Sequence, residues 1–479
     1  MHRPRSDVDI EIAQRRKVFD SLFKFNFILK ENLDSTDFSS KFKVVKNNVW
    51  ENLKSLIPYQ LTPAQDGSIY KMFEHMKAGN RLNGLVQGDV GSGKTIVAFF
   101  MMALGIDNNF QSCIIAPTEV LAKQHYNELS DLMSKLGIKV GYLTGSMKVR
   151  EKREMLKGIK DGSINMVVGT HAVLQDSVEF NNLGLVVIDE QHRFGVKQRE
   201  KLLNVEDKPH VITMSATPIP RTLSMALYGD NIQVYNIKTK PAGRKDVITK
   251  KMYSDEEINE FMLEEIKKGH QCYVVCPLID ESESETMSDV QSVSVVANNI
   301  KEYFKDEPLV KISDISGRMK QELIAEEIKK FSNFETNILI STTIIEVGVN
   351  VPNSTVMVIK SSERFGLAQA HQLRGRVGRG KFQSYCLLQT TKDDRKAEIL
   401  CSTCDGFEIA KQDLLLRGTG DYIGTKQTGN NKDVMLMIAE PELYKRIAAL
   451  NEKIYGDPSL FARYKYILDD YNEEKKKES

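Results

Sequence analysis

GDVGSGKT, residues 88–95, decides how the rest of the chain is read. It fits G-x-x-x-x-G-K-[ST], with the apolar run GLVQ leading in and IVAFFMMAL following. That is the strand–loop–helix setting the pattern requires. From Gly88 to Gly93 the backbone N–H groups of Asp89, Val90, Gly91 and Ser92 can curl around an anion, and the new helix adds its positive end. Lys94 would reach the terminal phosphates of a nucleotide, and Thr95 would offer its hydroxyl to Mg²⁺. The competing reading, a glycine-rich turn matching by chance, does not account for the apolar runs on both sides.

Outward from the loop, short apolar strands alternate with helical stretches. The strands are expected at 84–87, 112–116, 139–143, 165–169, 183–188 and 210–214. Strands separated by helices make a parallel sheet covered on both faces, with ligands at the C-terminal strand edge. APTE, GTH, DEQH and SAT each follow such a strand. The basic segment NIKTKPAGRKDV (236–247) reads as an interdomain linker. A second alternating set follows it: QCYVVCPLI, KISDIS, NILIST, STVMVI and SYCLL. The expected fold is α/β, two similar halves in tandem, with a mostly helical region from about residue 401.

The 479 residues are too many for one core, and roughly three domains is the starting expectation. No apolar run approaches the roughly 20 residues that span a bilayer. MHRPRSDVDIEIAQRRK has no apolar core behind its basic residues, so no signal peptide is expected and the address is cytoplasmic. Six cysteines are scattered, mostly in apolar surroundings, and the pair Cys401 and Cys404 lacks a second ligand pair for zinc. Reduced thiols are expected. A net charge of +1 neither advertises nor excludes nucleic acid, because helix N-termini, backbone amides and hydroxyls can also hold phosphates.

Residues from about 10 to 33 read as a helix with Ile12, Phe19, Leu22, Phe23 and Phe27 on one face. Thr62 and Pro63 read as an N-cap and first helical position. DESESETMSD (280–289) reads as a solvated acidic loop, and YNEEKKKES (471–479) as a disordered tail.

Asp189 and Glu190 close the apolar strand LGLVVI. One carboxylate there can hold Mg²⁺ opposite the phosphate loop while its neighbour orients an attacking water. Two adjacent acids at a strand end are costly without a cation, which favours hydrolysis over mere nucleotide sensing. In LRGRVGRG (373–380), Arg376 and Arg379 are three apart and would share one face of a helical turn. Supplied from a second domain they would act as arginine fingers. The alternative is a basic helix that binds nothing in particular.

LTPAQ, GDVGSGKT, APTEVLAKQH, GTHAVLQ, DEQHRFGVKQR, MSATPIPRTL, STTIIEVGVNVP and QLRGRVGRG occur in that order. The set resembles the superfamily 2 DNA helicases. DEQHRFGV, SATPIPRTL and DGFEIAKQDLLLRGTGDYIGTKQTG are most similar to the RecG family of bacterial branched-DNA helicases, over about residues 10 to 440. The resemblance implies two tandem RecA-like P-loop NTPase domains plus a mostly helical C-terminal region. It implies a helical linker over 1–50, a first domain over 51–238, a second over 239–400, and a C-terminal region with a translocation hairpin over 401–479. It further implies ATP and Mg²⁺ as cofactors, and a monomer acting on branched duplex DNA (forks and Holliday junctions) in the nucleoid. Single-stranded DNA-binding protein is the implied protein partner.

By the same resemblance Gln65 would read the adenine edge, and Gln372 would sit beside Arg376 and Arg379. Gln191, His192, Ser215 and Thr217 would couple nucleotide state to the DNA track. Thr118, Thr170, Arg318, Thr342 and Thr343 would line the DNA backbone groove, with Arg417 and Gln427 working in the hairpin. Departures from the family pattern are Asn350 in place of an acid, Ser316 in place of histidine and Lys411 in place of an acid. Only about 50 residues precede the motor, so the family's junction-splitting wedge domain is expected to be missing. Three alternatives remain open: a non-catalytic ATP-dependent DNA-binding accessory module, a motor of the transcription-repair coupling factor type, and an RNA helicase. Glu190, Arg376 and Arg379 weigh against the first, the DEQH and GDVGSGKT spellings against the second, and the hairpin phrase against the third.

Overall fold

A computed structural model describes residues 7–34, 39–190, 208–216, 224, 232–239, 245–277, 285–316, 319–342, 351–390, 394–417, 436–437 and 440–478. The first sheet holds β1 Asn83–Gly88, β2 Gln111–Ile115, β3 Val140–Leu143, β4 Met166–Gly169, β5 Leu183–Asp189, β6 His210–Ser215 and β7 Gln233–Ile237, in the order β3-β4-β2-β5-β6-β1-β7. The second holds β8 Ile248–Met252, β9 Gln271–Val275, β10 Ile312–Ile315, β11 Ile338–Ser341, β12 Ser354–Ile359 and β13 Tyr385–Gln389, in the order β10-β11-β9-β12-β13-β8. Pairing is parallel from β3 across to β1 and throughout the second sheet.

Both faces of each sheet are buried, which is why the central strands read as unbroken apolar runs. In β5, Leu185 and Val187 join one core while Val186 and Ile188 join the other. In β9, Tyr273 and Val275 face one core, and Cys272 and Val274 the opposite one. Strands β7 and β8 lie outside the expected set, and both are edge strands. An edge strand buries less, and the ITKKM of β8 carries charge where an inner strand would be apolar.

The chain opens with helix α1 (Asp7–Asp34). Around the first sheet lie α2 Asn48–Leu56, α3 Pro63–Lys77, α4 Lys94–Asp107, α5 Glu119–Ser134 and α6 Val149–Lys160. Helix α4 is apolar almost all round because it is enclosed, with Ile96 to Leu104 all buried. The wall of this core starts ahead of α2, at Phe42 and Val44, and Trp50 Nε1 donates to Phe100 O at 2.9 Å. The second sheet is flanked by α7 Asp255–Lys267, α8 Glu285–Tyr303, α9 Gln321–Ser332, α10 Leu367–Arg374 and α11 Arg395–Ser402. Helix α8 takes in the end of the phrase expected to be an acidic loop. Helix α12 follows at Gly406–Arg417.

A separate helical unit contains α1 with α13 Pro441–Tyr455, α14 Pro458–Tyr464 and α15 Tyr466–Glu478. Leu22, Phe23, Phe27, Tyr444, Ile447, Ile454 and Ile467 form its core. Ile12, expected on the apolar stripe, is 55% exposed, whereas Phe25 and Asn26 are buried. Asn26 Nδ2 donates to the Tyr444 hydroxyl at 3.0 Å, and Asn451 Nδ2 donates to Asn26 Oδ1 at 2.8 Å. The tail expected to be disordered is helical through Glu478, because buried Ile467 and Leu468 anchor a run of good helix formers. Among the described residues no helix is long and apolar enough to cross a membrane.

Candidate active site

Strand β1 ends at Gly88 and α4 begins at Lys94, so residues 89–93 form the loop between them. Gly91 and Gly93 turn at φ 75° and 82°, the left-handed region that glycine enters freely. At Gly93 a Cβ would also lie 2.2 Å from Gln65 Nε2. Gln65 closes the capping box of α3: the Thr62 N–H donates to Gln65 Oε1 at 2.8 Å, and Thr62 Oγ1 accepts from the Gln65 N–H at 3.3 Å. Gln65 Nε2 donates to Ser92 O at 2.8 Å. Both polar ends of the amide expected to read adenine are thus engaged within the protein, bracing the phosphate loop.

Lys94 Nζ donates to Gly88 O at 2.8 Å and to Asp89 O at 3.0 Å. Burial lowers its pKa, while the charges of Glu190, Asp189 and Asp89 oppose that shift. Asp189, at the end of β5, accepts a hydrogen bond from His125 Nε2 on α5 at 2.8 Å. Glu190 sits at φ 49°, and its N–H donates to Met214 O at 3.1 Å. Burial, and then the Asp189 charge, push the Glu190 carboxyl up to about 7 against the pull of Lys94 and Arg376. A carboxyl titrating there is suited to taking a proton from water near neutral pH. The Asp189 carboxylate and Thr95 hydroxyl are the hard oxygen donors that suit Mg²⁺. The Asp189 charge that raises Glu190 is the negative charge such a cation would offset.

Arg376 and Arg379 come from the second α/β half. Arg376 acts electrostatically on Glu190, and Arg379 on Lys94, so the two halves meet at one site. They do not share a helical turn as expected: α10 ends at Arg374, Gly375 caps it, and Gly378 at φ 76° breaks the path. The expected helical face gives way because two glycines in four residues end the helix. Gln372 is buried on α10.

The remaining candidates separate along the sheet edge. Thr118 caps α5 after β2, its hydroxyl accepting from the Leu121 N–H at 3.3 Å. Thr170 follows β4, buried, with its hydroxyl lacking a protein partner among the described residues. Ser215 ends β6, and Thr342 follows β11, buried. The phosphate loop and the carboxylate pair therefore lie at the ends of β1 and β5, whereas Thr118 and Thr170 follow β2 and β4 at the same C-terminal edge. Gln191, His192, Thr217, Arg318, Thr343, Asn350 and Gln427 lie outside the described residues. Helix α12 ends at Arg417, whose side chain is also outside them. Lys411 lies on α12, exposed, 3.9 Å from Glu408. His125 and His371 are not among the expected site residues, since a lone histidine shows its partner only when the chain folds back.

Residues 62–226 match the DEAD/DEAH box helicase family, and residues 254–381 match the helicase conserved C-terminal domain. The ATP-dependent DNA helicase RecG of Synechocystis sp. is 40% identical over 472 residues, covering 96% of this chain and 56% of that protein. RecG of Staphylococcus aureus is 41% identical over 438 residues, covering 90% of this chain and 63% of that protein. A solved structure of RecG bound to a three-way DNA junction matches with 35% identity and a TM-score of 0.73, over 92% of this chain and 58% of that one. The helicase MrfA bound to DNA, 18% identical with a TM-score of 0.57 over 79% of this chain and 57% of that one, shares the fold. The chain thus spans less than two thirds of the length of these relatives.

Proposed function

Because the chain belongs to the RecG family of superfamily 2 helicases, we propose that it is an ATP-driven motor that moves along duplex DNA and remodels branches. Branched duplex DNA, forks and Holliday junctions included, is the proposed substrate, and the relative solved on a three-way DNA junction supports it. One observation carries the reading. Glu190 feels Lys94 from its own half and Arg376 from the other. Hydrolysis at a site assembled from two domains couples naturally to their opening and closing.

In this mechanism the loop amides and Lys94 hold the phosphates, and Glu190 takes the proton of the attacking water. Arg376 and Arg379 offset the charge that develops on the transferred phosphoryl group. Mg²⁺, when bound by Asp189 and Thr95, would neutralise phosphate charge. Thr118, Thr170 and Thr342 are proposed to hold the DNA backbone with hydroxyls, consistent with a chain of near-zero net charge.

The test is ATP turnover by the chain as it stands, with and without forked duplex. Forked DNA should stimulate turnover more than RNA of equal length, and Lys94→Ala should abolish it. Strand separation on the fork supports the motor. Tight DNA binding without turnover would instead establish the accessory-module reading.

A further inference from the structure

The second residue of the phosphate loop is met by a side chain from the other half. His371 Nε2 on α10 lies 2.7 Å from Asp89 Oδ1, with the two side chains only 5% and 14% exposed. The ring's other nitrogen, Nδ1, lies 2.8 Å from Arg374 Nη2. A guanidinium can only donate, so Nδ1 accepts, and Nε2 carries the ring proton toward Asp89. Arg374 is pinned in turn: its Nη1 donates to Leu400 O at 2.6 Å, Thr403 O at 3.0 Å and Thr249 Oγ1 at 3.1 Å.

At the receiving end, Asp89 Oδ1 also accepts the Val90 N–H at 2.7 Å. The Asp89 side chain therefore shapes the loop's own backbone. Close approach is built in at two glycines. A Cβ at Gly375 would lie 2.5 Å from Val90 Cβ, and one at Gly406 would lie 2.9 Å from His371 Nε2. A continuous set of hydrogen bonds thus runs from the second sheet and α11, through Arg374 and His371, to the phosphate-loop backbone. Taking an imidazole and a carboxylate out of water at a domain junction is costly unless each satisfies the other.

We propose that His371 is a positioning residue: through Asp89 it holds the phosphate-loop backbone in order while α10 seats Arg376 and Arg379 at the same site. The link makes loop order depend on the placement of the second half. Its effect on turnover rests on the ATP-motor reading above, but its effect on the loop does not. Glutamine is the conservative replacement, because its oxygen can accept from Arg374 while its Nε2 donates to Asp89.

The full chain carrying His371→Ala or His371→Gln is examined without nucleotide by hydrogen exchange, and on forked DNA by steady-state ATPase. His371→Ala should speed exchange in peptides covering residues 88–95 about tenfold, leave β9 and β12 protected, and lower kcat about tenfold or more with little change in KM for ATP. His371→Gln should restore both, and His371→Ala should add nothing to Asp89→Ala in the double variant. Unchanged loop exchange overturns the proposal, as does accelerated loop exchange with wild-type kcat. Exchange that rises throughout the second sheet, unrescued by glutamine, assigns His371 a merely structural role and also overturns it. A wild-type chain without DNA-stimulated turnover, combined with the predicted exchange difference, rejects the motor reading and leaves the loop-positioning role standing.

Discussion

His125 Nε2 donates to Asp189 Oδ2 across 2.8 Å, joining α5 to the end of β5 beneath the candidate metal position. The imidazole is buried and stands edge-on to Phe99 at 6.4 Å, so its direction is fixed by packing. A carboxylate ligand that loses the hydrogen-bond donor behind it loses orientation before it loses charge. His125→Ala should therefore raise the Mg²⁺ concentration needed for half-maximal ATPase by about 10- to 100-fold. The apparent affinity for ATP at saturating Mg²⁺ should change little. A Mg²⁺ titration of DNA-stimulated turnover reads this directly, and an unchanged midpoint would show that Asp189 does not depend on His125.

Glu190 carries a signed prediction for pH. Its ordinary carboxyl value is 4.5 and its folded value is about 7, so between them the folded chain holds a proton that the unfolded chain has released. The contribution to stability is complete below about pH 4.5 and is lost as pH rises through about 7. Glu190→Gln removes the titration. Without nucleotide or Mg²⁺, the variant should exceed the wild type in stability at about pH 8 by about 3 kcal/mol, with the gap closing toward about pH 5. Urea unfolding across that range measures it. Turnover runs the other way, because only the ionised carboxylate accepts a proton. Wild-type activity should climb through neutral pH, and the variant should fall about 10²- to 10⁴-fold.

The α/β halves were legible because inner parallel strands are apolar on both faces, as Leu183–Asp189 is, and because GDVGSGKT needs both a strand and a helix around it. Edge strands β7 and β8 were not legible, since half-exposed QVYNI and ITKKM carry no such run. At the site, spacing revealed the residues contributed by one segment, such as Lys94 with Thr95 and Asp189 with Glu190. It could not reveal pairs made by folding, such as His125 with Asp189 or His371 with Asp89. Arg376 and Arg379 were expected to work at the site, but their placement on a helical face overlooked the glycines at 375 and 378.

Gln65 offers a choice between two roles that nucleotide preference can decide. Its Nε2 donates to Ser92 O at 2.8 Å and its Oε1 accepts from Thr62, so bracing the loop uses the whole amide. If bracing is its contribution, Gln65→Ala should weaken ATP and GTP alike, by about 5- to 100-fold, the equivalent of one lost buried hydrogen bond. Gln65→Glu should be worse, because it sets an oxygen against the Ser92 carbonyl. Loss of ATP preference with GTP use unchanged would instead restore the adenine-reading role. Binding of fluorescent adenine and guanine nucleotides to the three proteins separates the outcomes.

Gly375 tests how closely the two halves must approach. Its backbone, at φ −69°, suits any residue, so alanine there brings no conformational strain. The added Cβ would sit 2.5 Å from Val90 Cβ and 2.9 Å and 3.0 Å from the Val90 methyl carbons. One of the two segments must then move, and the arginines beyond Gly375 move with it. Gly375→Ala should cut DNA-stimulated kcat by about tenfold or more, the order expected when catalytic groups shift by a fraction of an ångström to 1 Å. Thermal stability should be nearly unchanged. Val90→Ala in the same chain should rescue poorly, because its Cβ remains in the path, whereas Val90→Gly removes that atom and should recover most of the loss. Equal rescue by both, or wild-type turnover in Gly375→Ala, would mean that the halves do not need this contact during the cycle.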